Sequence, residues 1–132
     1  MKTITVFGTA ALAASLFGAM PAKADGDAVA GKKVFNKCMA CHDAKTDKDK
    51  VGPSLMTVYG RTAGTWESYL SKYSANMKEL GEGGLVWDDE NLTAYLHHPK
   101  EVVPEGKMAF PGLKSDDDLA NVIAYLKADP KP

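Results

Sequence analysis

The sequence predicts a small all-α domain. Apolar residues recur at i, i+3, i+4 and i+7 in separate stretches, of which Leu119, Val122, Ile123 and Leu126 form the cleanest. Helix-capping residues stand where such stretches begin, at Asp88 and at Ser115-Asp116-Asp117-Asp118. No stretch gives a strong strand signal and no internal repeat is present.

The chain begins Met1-Lys2, continues without charge from Ile4 to Met20, and then reads Ala22-Lys23-Ala24. A basic start, an apolar run and a small-residue end describe a secretory signal peptide over residues 1–24. An uncleaved anchor is the weaker reading, because the run falls short of ~20 apolar residues and is diluted by Gly, Ser and Thr. Cleavage after Ala24 leaves one domain, residues 25–132, in the periplasm. No second segment is long and apolar enough to span a membrane. Formal charge is −1 for the full chain, and loss of Lys2 and Lys23 takes it to −3. That balance excludes a general nucleic-acid binder.

Asp25 or Asp27 caps a first helix running to about Lys37, with Val29, Ala30, Val34 and Phe35 as its apolar set. Gly31 lies inside it at a cost of about 1 kcal/mol against Ala, which points to a close helix crossing. Residues 43–52 are charged and aperiodic, a loop that ends in the turn Val51-Gly52-Pro53-Ser54-Leu55. A second helix starts at Thr65 and carries the stripe Trp66, Tyr69, Leu70, Tyr73 and Met77, until Gly81-Glu82-Gly83-Gly84 stops it. Asp88 caps a third helix, with Leu92, Tyr95 and Leu96 on one face, and Pro99 closes it. The prolines and glycines of residues 99–114 predict a structured loop without regular helix. The last helix follows Ser115, with three acids at its positive end.

Between the first helix and the charged loop stands Cys38-Met39-Ala40-Cys41-His42. C-x-x-C-H is the attachment signature of c-type haem. Each cysteine can bond one vinyl arm of the porphyrin, and the adjoining histidine then lies under the iron as an axial ligand. These are the only two cysteines. A thioredoxin-like dithiol requires a βαβ setting that is absent. A structural zinc site needs a second ligand pair, and adjacent His97 and His98 diverge by about 100° on a helix.

A domain of this size with long loops buries a thin core by itself. Burial of a macrocycle at ~25 cal/mol/Å² offsets several kcal/mol of chain ordering. The haem-free chain is therefore expected to be largely unfolded.

The other axial position decides the function. An open position gives ligand binding or oxygen chemistry, whereas His/Met closure gives electron transfer at a raised potential. The candidates are Met39, Met56, Met77, Met108, His97 and His98. Met39 lies within the attachment turn and cannot reach the opposite face. Met77 continues a helical stripe and Met56 follows a turn, so both read as packing. His97 and His98 sit at a helix end before Pro99, where histidines are commonly solvated. Met108 lies in Gly106-Lys107-Met108-Ala109-Phe110-Pro111-Gly112, a loop stiffened by prolines and without periodicity to bury it, and is the predicted ligand. A haem enzyme or gas-binding sensor would need an open iron and, for peroxidase action, a distal base. No histidine outside the 97–98 pair supplies one.

These segments together resemble the class I cytochromes c, near the mitochondrial and bacterial periplasmic shuttles. The resemblance covers nearly all of residues 27–128. It rests on Gly31-Lys32-Lys33-Val34-Phe35, Val51-Gly52-Pro53-Ser54-Leu55, Tyr59-Gly60-Arg61-Thr62-Ala63-Gly64, Trp87, Tyr95-Leu96 with Pro99-Lys100, Lys107-Met108-Ala109-Phe110 and Ile123-Ala124-Tyr125-Leu126-Lys127. It implies a haem held covalently by Cys38 and Cys41, with His42 and Met108 as axial iron ligands. Pro53 would accept the His42 Nδ1 proton. Trp87 and Arg61 would serve a haem propionate, Tyr95 would stand beside Met108, and Phe110 would cover the exposed haem edge. Gly31, Phe35 and Tyr125 would form the crossing of the first and last helices. Lys37, Lys100, Lys107 and Lys114 match positions around the haem edge, a basic ring suited to an acidic docking face.

The sequence departs from the family at Gly106, where a hydroxyl residue commonly holds a propionate, and at the acids Glu101 and Glu105. Residues 65–84 are longer than in mitochondrial members, and Tyr69, Tyr73 and Asn76 are open candidates for propionate contact. The implied function is a monomeric one-electron carrier, not an enzyme. Its expected donor is a membrane cytochrome bc-type complex, and its expected acceptor a terminal oxidase or photosynthetic reaction centre. No nucleic-acid partner or stable membrane insertion is expected.

Overall fold

The structure, a computed structural model, describes residues 25–132. The expected signal peptide lies outside the described residues. The described residues hold five α-helices: α1 Ala28–Phe35, α2 Ala75–Glu82, α3 Asp89–His97, α4 Pro99–Val102 and α5 Asp116–Lys127. A 3₁₀ turn spans Glu67–Tyr69, and an isolated antiparallel bridge joins Thr62 to Val86.

Helices α1 and α5 cross and form the frame. Asp27 caps α1 by accepting from Val29 N at 2.8 Å and Ala30 N at 3.2 Å. A Cβ on Gly31 would lie 1.9 Å from the Asn121 carbonyl oxygen, so the interior glycine is required by the crossing. Gly26 makes the same approach to Ala120, also at 1.9 Å. Phe35 and Tyr125 meet across the crossing with ring centroids 5.3 Å apart. Asn121 Oδ1 accepts from the Asp27 amide at 2.8 Å and latches the end of α1 to α5. The inward face of α5 is buried as predicted, at Leu119, Val122, Ile123 and Leu126, with Tyr125 beside it. These pack with Val58, Trp87, Leu92 and Leu113 into one core.

Two expected elements differ. No continuous helix runs from Thr65 to Met77. The 3₁₀ turn ends at Tyr69, and Ser74 starts α2 afresh, its hydroxyl accepting from Met77 N at 3.1 Å. The helix continues through Gly81, where a Cβ would meet the Ala63 carbonyl oxygen at 1.9 Å. The close seat of α2 on Ala63 and Gly64 therefore outweighs the glycine's helix-breaking tendency. The prolines of 99–114 also do not exclude helix. Pro99 occupies the first position of α4, where its missing N–H costs nothing.

Asp88 caps α3 through Asn91 N at 2.8 Å, as expected. After α3 the chain doubles back. The Leu113 amide donates to Leu96 O at 2.7 Å, and His97 Nδ1 donates to Leu113 O at 2.8 Å. His97 is thus half-buried and structural rather than solvated; His98 is half-buried too, with its Nδ1 3.2 Å from Lys114 Nζ. Gly112 permits the return with φ +107° and no room for a Cβ against His97 O at 2.1 Å.

Candidate haem site

The attachment motif coils directly out of α1. The Cys38 amide donates to Phe35 O at 2.8 Å, and the His42 amide donates to Cys38 O at 2.9 Å. The two cysteines form no disulfide with each other; Cys38 is half-buried and Cys41 exposed. Burial pushes the Cys38 thiol pKa up, against a smaller lowering by Lys37.

His42 is fixed from two sides. Its Nδ1 lies 2.8 Å from Pro53 O. A carbonyl only accepts, so Nδ1 carries the proton and Nε2 keeps its lone pair. Behind the ring, Gly52 leaves no space for a side chain, since a Cβ there would sit 2.2 Å from His42 Cε1. Burial pulls the His42 pKa down, more than the Pro53 bond raises it, and Lys50 adds to the lowering. The ring is thus neutral at pH 7, the form that ligates a metal.

The loop behind Gly52 and Pro53 is knotted by side chains. Asp49 Oδ1 accepts from Ser54 N at 2.9 Å and from Trp66 Nε1 at 3.0 Å, while Oδ2 accepts from Ser68 Oγ at 2.6 Å. Burial acts to raise the Asp49 pKa, but these three donors outweigh it and hold the carboxyl below its ordinary value. Ser54 is fully buried, and its hydroxyl donates to Thr46 O at 2.5 Å. Trp66, expected on a helical stripe, instead seals this loop.

Arg61 donates to Ser54 O at 2.9 Å and Met56 O at 2.5 Å, and its guanidinium stacks 4.3 Å from the Trp66 ring centroid. Trp87 is buried, and its ring lies 4.8 Å from that of Tyr95. The Tyr95 hydroxyl is 3.8 Å from Met108 Sδ, and burial pushes its pKa up to about 12. The Met108 loop is tied down on both flanks. Glu105 N donates to Asn76 Oδ1 at 3.1 Å, and Lys107 Nζ donates to Lys72 O at 2.7 Å.

All of these parts converge on one cavity of about 560 Å³. Cys38, Cys41, His42, Pro53, Arg61, Trp87, Tyr95, Met108 and Phe110, the nine residues assigned to the haem and its iron, all line it. Among the other methionines, Met77 joins the lining but Met39 and Met56 do not. Tyr69 and Tyr73 line the cavity, whereas Asn76 serves the Met108 loop instead. Of the lysines matched to the haem edge, Lys37 and Lys107 line the cavity; Lys72 does so without having been singled out. Gly52 and Asp49 were also missed, although Gly52-Pro53 is legible as a turn.

The lining fits a haem. The Cys38 and Cys41 sulfurs, a neutral imidazole with Nε2 available and a thioether meet around one largely apolar space. The cytochrome c family profile matches residues 28–128. The chain belongs to the cytochrome c family. It is 47% identical over 104 residues to cytochrome c2 of Afifella marina, covering 77% of this chain and 82% of that one. It is 44% identical over 127 residues to cytochrome c-554 of Methylosinus trichosporium, covering 96% and 92% respectively. Cytochrome c2 of Rhodospirillum centenum superposes with a TM-score of 0.73 at 38% identity, covering 81% of this chain and 100% of that one. As a cytochrome c the chain is an electron carrier with one covalent haem c on the Cys38/Cys41 pair.

Proposed function

We propose that this cytochrome c is a one-electron shuttle whose iron is held by His42 and Met108, with no open position for a substrate. The single observation that carries this is the Met108 sulfur on the shared cavity, beside the Tyr95 hydroxyl at 3.8 Å, on a loop tied at both flanks. A thioether that ligates must be held, and this one is.

Haem supplies the ferrous/ferric couple. The chain's residues do the rest. His42 offers Nε2, and its Nδ1–H bond to Pro53 O fixes the ring and strengthens it as a donor. Met108 adds a soft sulfur that favours the less charged ferrous state. Trp87, Tyr95 and Phe110 exclude water, which disfavours the extra charge of the ferric state. Arg61 stands beside the cavity as the cation for a propionate. Nothing enters or leaves on electron transfer, so little rearranges and no substrate chemistry is expected.

Residues 1–24 act as a signal peptide cleaved after Ala24, and the mature carrier is a periplasmic monomer. Its donor is a membrane cytochrome bc-type complex and its acceptor a terminal oxidase or photosynthetic reaction centre. Lys37, Lys72 and Lys107 at the cavity, with Lys100 and Lys114 nearby in sequence, support docking on an acidic face. Among the described residues no helix is long and apolar enough to cross a membrane.

Proton NMR of the ferrous haem protein tests the ligand set. The Met108 methyl should be ring-current shifted far upfield, and Met108→Ala should abolish that signal. A Met108 methyl at its ordinary position would contradict the proposal.

A further inference from the structure

We propose that Asp49 is a positioning residue for the iron ligand His42, tuning its donor strength through the peptide bond between Pro53 and Ser54. This rests on the proposed role of His42 as axial ligand.

One peptide group serves two bonds. Its oxygen, Pro53 O, accepts from His42 Nδ1 at 2.8 Å. Its N–H, that of Ser54, donates to Asp49 Oδ1 at 2.9 Å. The chain of contacts is therefore imidazole N–H, carbonyl oxygen, amide N–H, carboxylate. A carboxylate at the amide proton draws the peptide dipole toward greater negative charge on oxygen. Hydrogen bonds in such a chain polarise one another by roughly 10–30% per bond. The Pro53 oxygen then pulls harder on the Nδ1 proton and leaves more electron density on Nε2. A stronger imidazole donor favours ferric iron.

The carboxylate is held for this role. Trp66 Nε1 at 3.0 Å and Ser68 Oγ at 2.6 Å fix its orientation, and Ser54 between it and His42 is wholly buried. Ser54 shields the amide from water, while Asp49 itself is half-buried at the outer end of the relay. The Ser68 and Trp66 bonds give Asp49 an ordinary structural role too, as the clamp between residues 49–54 and 66–68. The tuning role is separable, because it depends on charge at one amide.

The test uses the haem-loaded protein and measures three things: reduction potential, melting midpoint, and the ferrous-state NMR shift of His42 Nδ1–H. Asp49→Asn keeps an oxygen for the Ser54 amide and removes the charge. It should raise the potential by an equilibrium factor of about 3 to 10, or about 28 to 59 mV at ~59 mV per decade. The Nδ1 proton should move upfield in step. Ser68→Ala loosens the clamp but leaves the charge at the amide; its melting midpoint should fall with no rise in potential. Should Asp49→Asn fail to take up haem, Asp49→Glu displaces the charge by one methylene, and a potential above wild type supports the relay. A potential and Nδ1 shift unchanged in Asp49→Asn, or in Asp49→Glu where that variant stands in, overturn it. So does a rise in Ser68→Ala equal to that in Asp49→Asn. A wild-type ferrous protein whose His42 ring protons show no ring-current shift would instead remove the ligand role of His42, and the relay with it.

Discussion

At the scale of single residues, the chemistry depends on groups that are held rather than merely present. Tyr95 is the clearest case. Its phenol is buried against Trp87 and beside Met108, with its pKa raised from 10.0 to about 12. A raised folded pKa means that the folded state keeps the proton longer than the unfolded chain. The associated stability is full below pH ~10 and is lost between pH ~10 and ~12, on the order of 2 to 3 kcal/mol at ~1.36 kcal/mol per unit. Tyr95→Phe should flatten the alkaline fall in urea midpoint between pH 9 and pH 12 relative to wild type. An identical fall in both proteins would count against the buried phenol. The glycine at the helix crossing gives a second prediction. Gly31→Ala forces a methyl against the Asn121 carbonyl at 1.9 Å. It should cost about 1–3 kcal/mol, read as a drop in melting temperature. Much at this scale was legible from residue types alone, including the C-x-x-C-H motif and Met108 on its aperiodic loop. Asp49 was not, because nothing in a charged run marks which acid turns inward. Only the folded loop brings its carboxylate to the amide behind His42.

At the scale of elements, the predicted and observed helices agree where a cap and a stripe coincide. Asp27, Asp88 and Ser115 each start a helix with their own side chain, and α1, α3 and α5 lie close to where they were expected. Residues 65–84 differ for a physical reason. Tyr69, Tyr73 and Met77 all line the same cavity, so they keep an apolar spacing although they belong to separate elements. Periodicity there reports a shared destination, not an unbroken helix. The missed signal was Ser74, a capping residue in the middle of the stripe. Ser74→Ala should lower stability by about 1 kcal/mol through the orphaned Met77 amide, measured by urea titration of the haem protein. His97 was likewise misread, since its partner is the Leu113 carbonyl, sixteen residues further along the chain.

At the scale of the whole molecule, the cavity dominates. It is about 560 Å³ and is bordered by core residues including Val58, Trp87, Leu92 and Leu126. Without haem this open, largely apolar cavity leaves core side chains facing water at ~25 cal/mol per Å², a loss of several kcal/mol against the roughly 5–15 kcal/mol total stability of a small domain. The haem-free chain should therefore lack a cooperative native-like melt by circular dichroism. The fold class and the presence of one haem follow from the sequence because both the thin core and the attachment motif demand the same filler. Charge belongs to this scale as well. Reversal of Lys107, which lines the cavity, should slow electron exchange with an acidic partner and flatten its salt dependence. Unchanged second-order rates at low salt would speak against docking at this face. The central claim is a six-coordinate iron closed by Met108. Carbon monoxide added to the reduced haem protein, followed by visible absorption at neutral pH, tests it most directly. An unchanged spectrum is predicted; a prompt shift would mean an open or labile position and would contradict the electron-shuttle account.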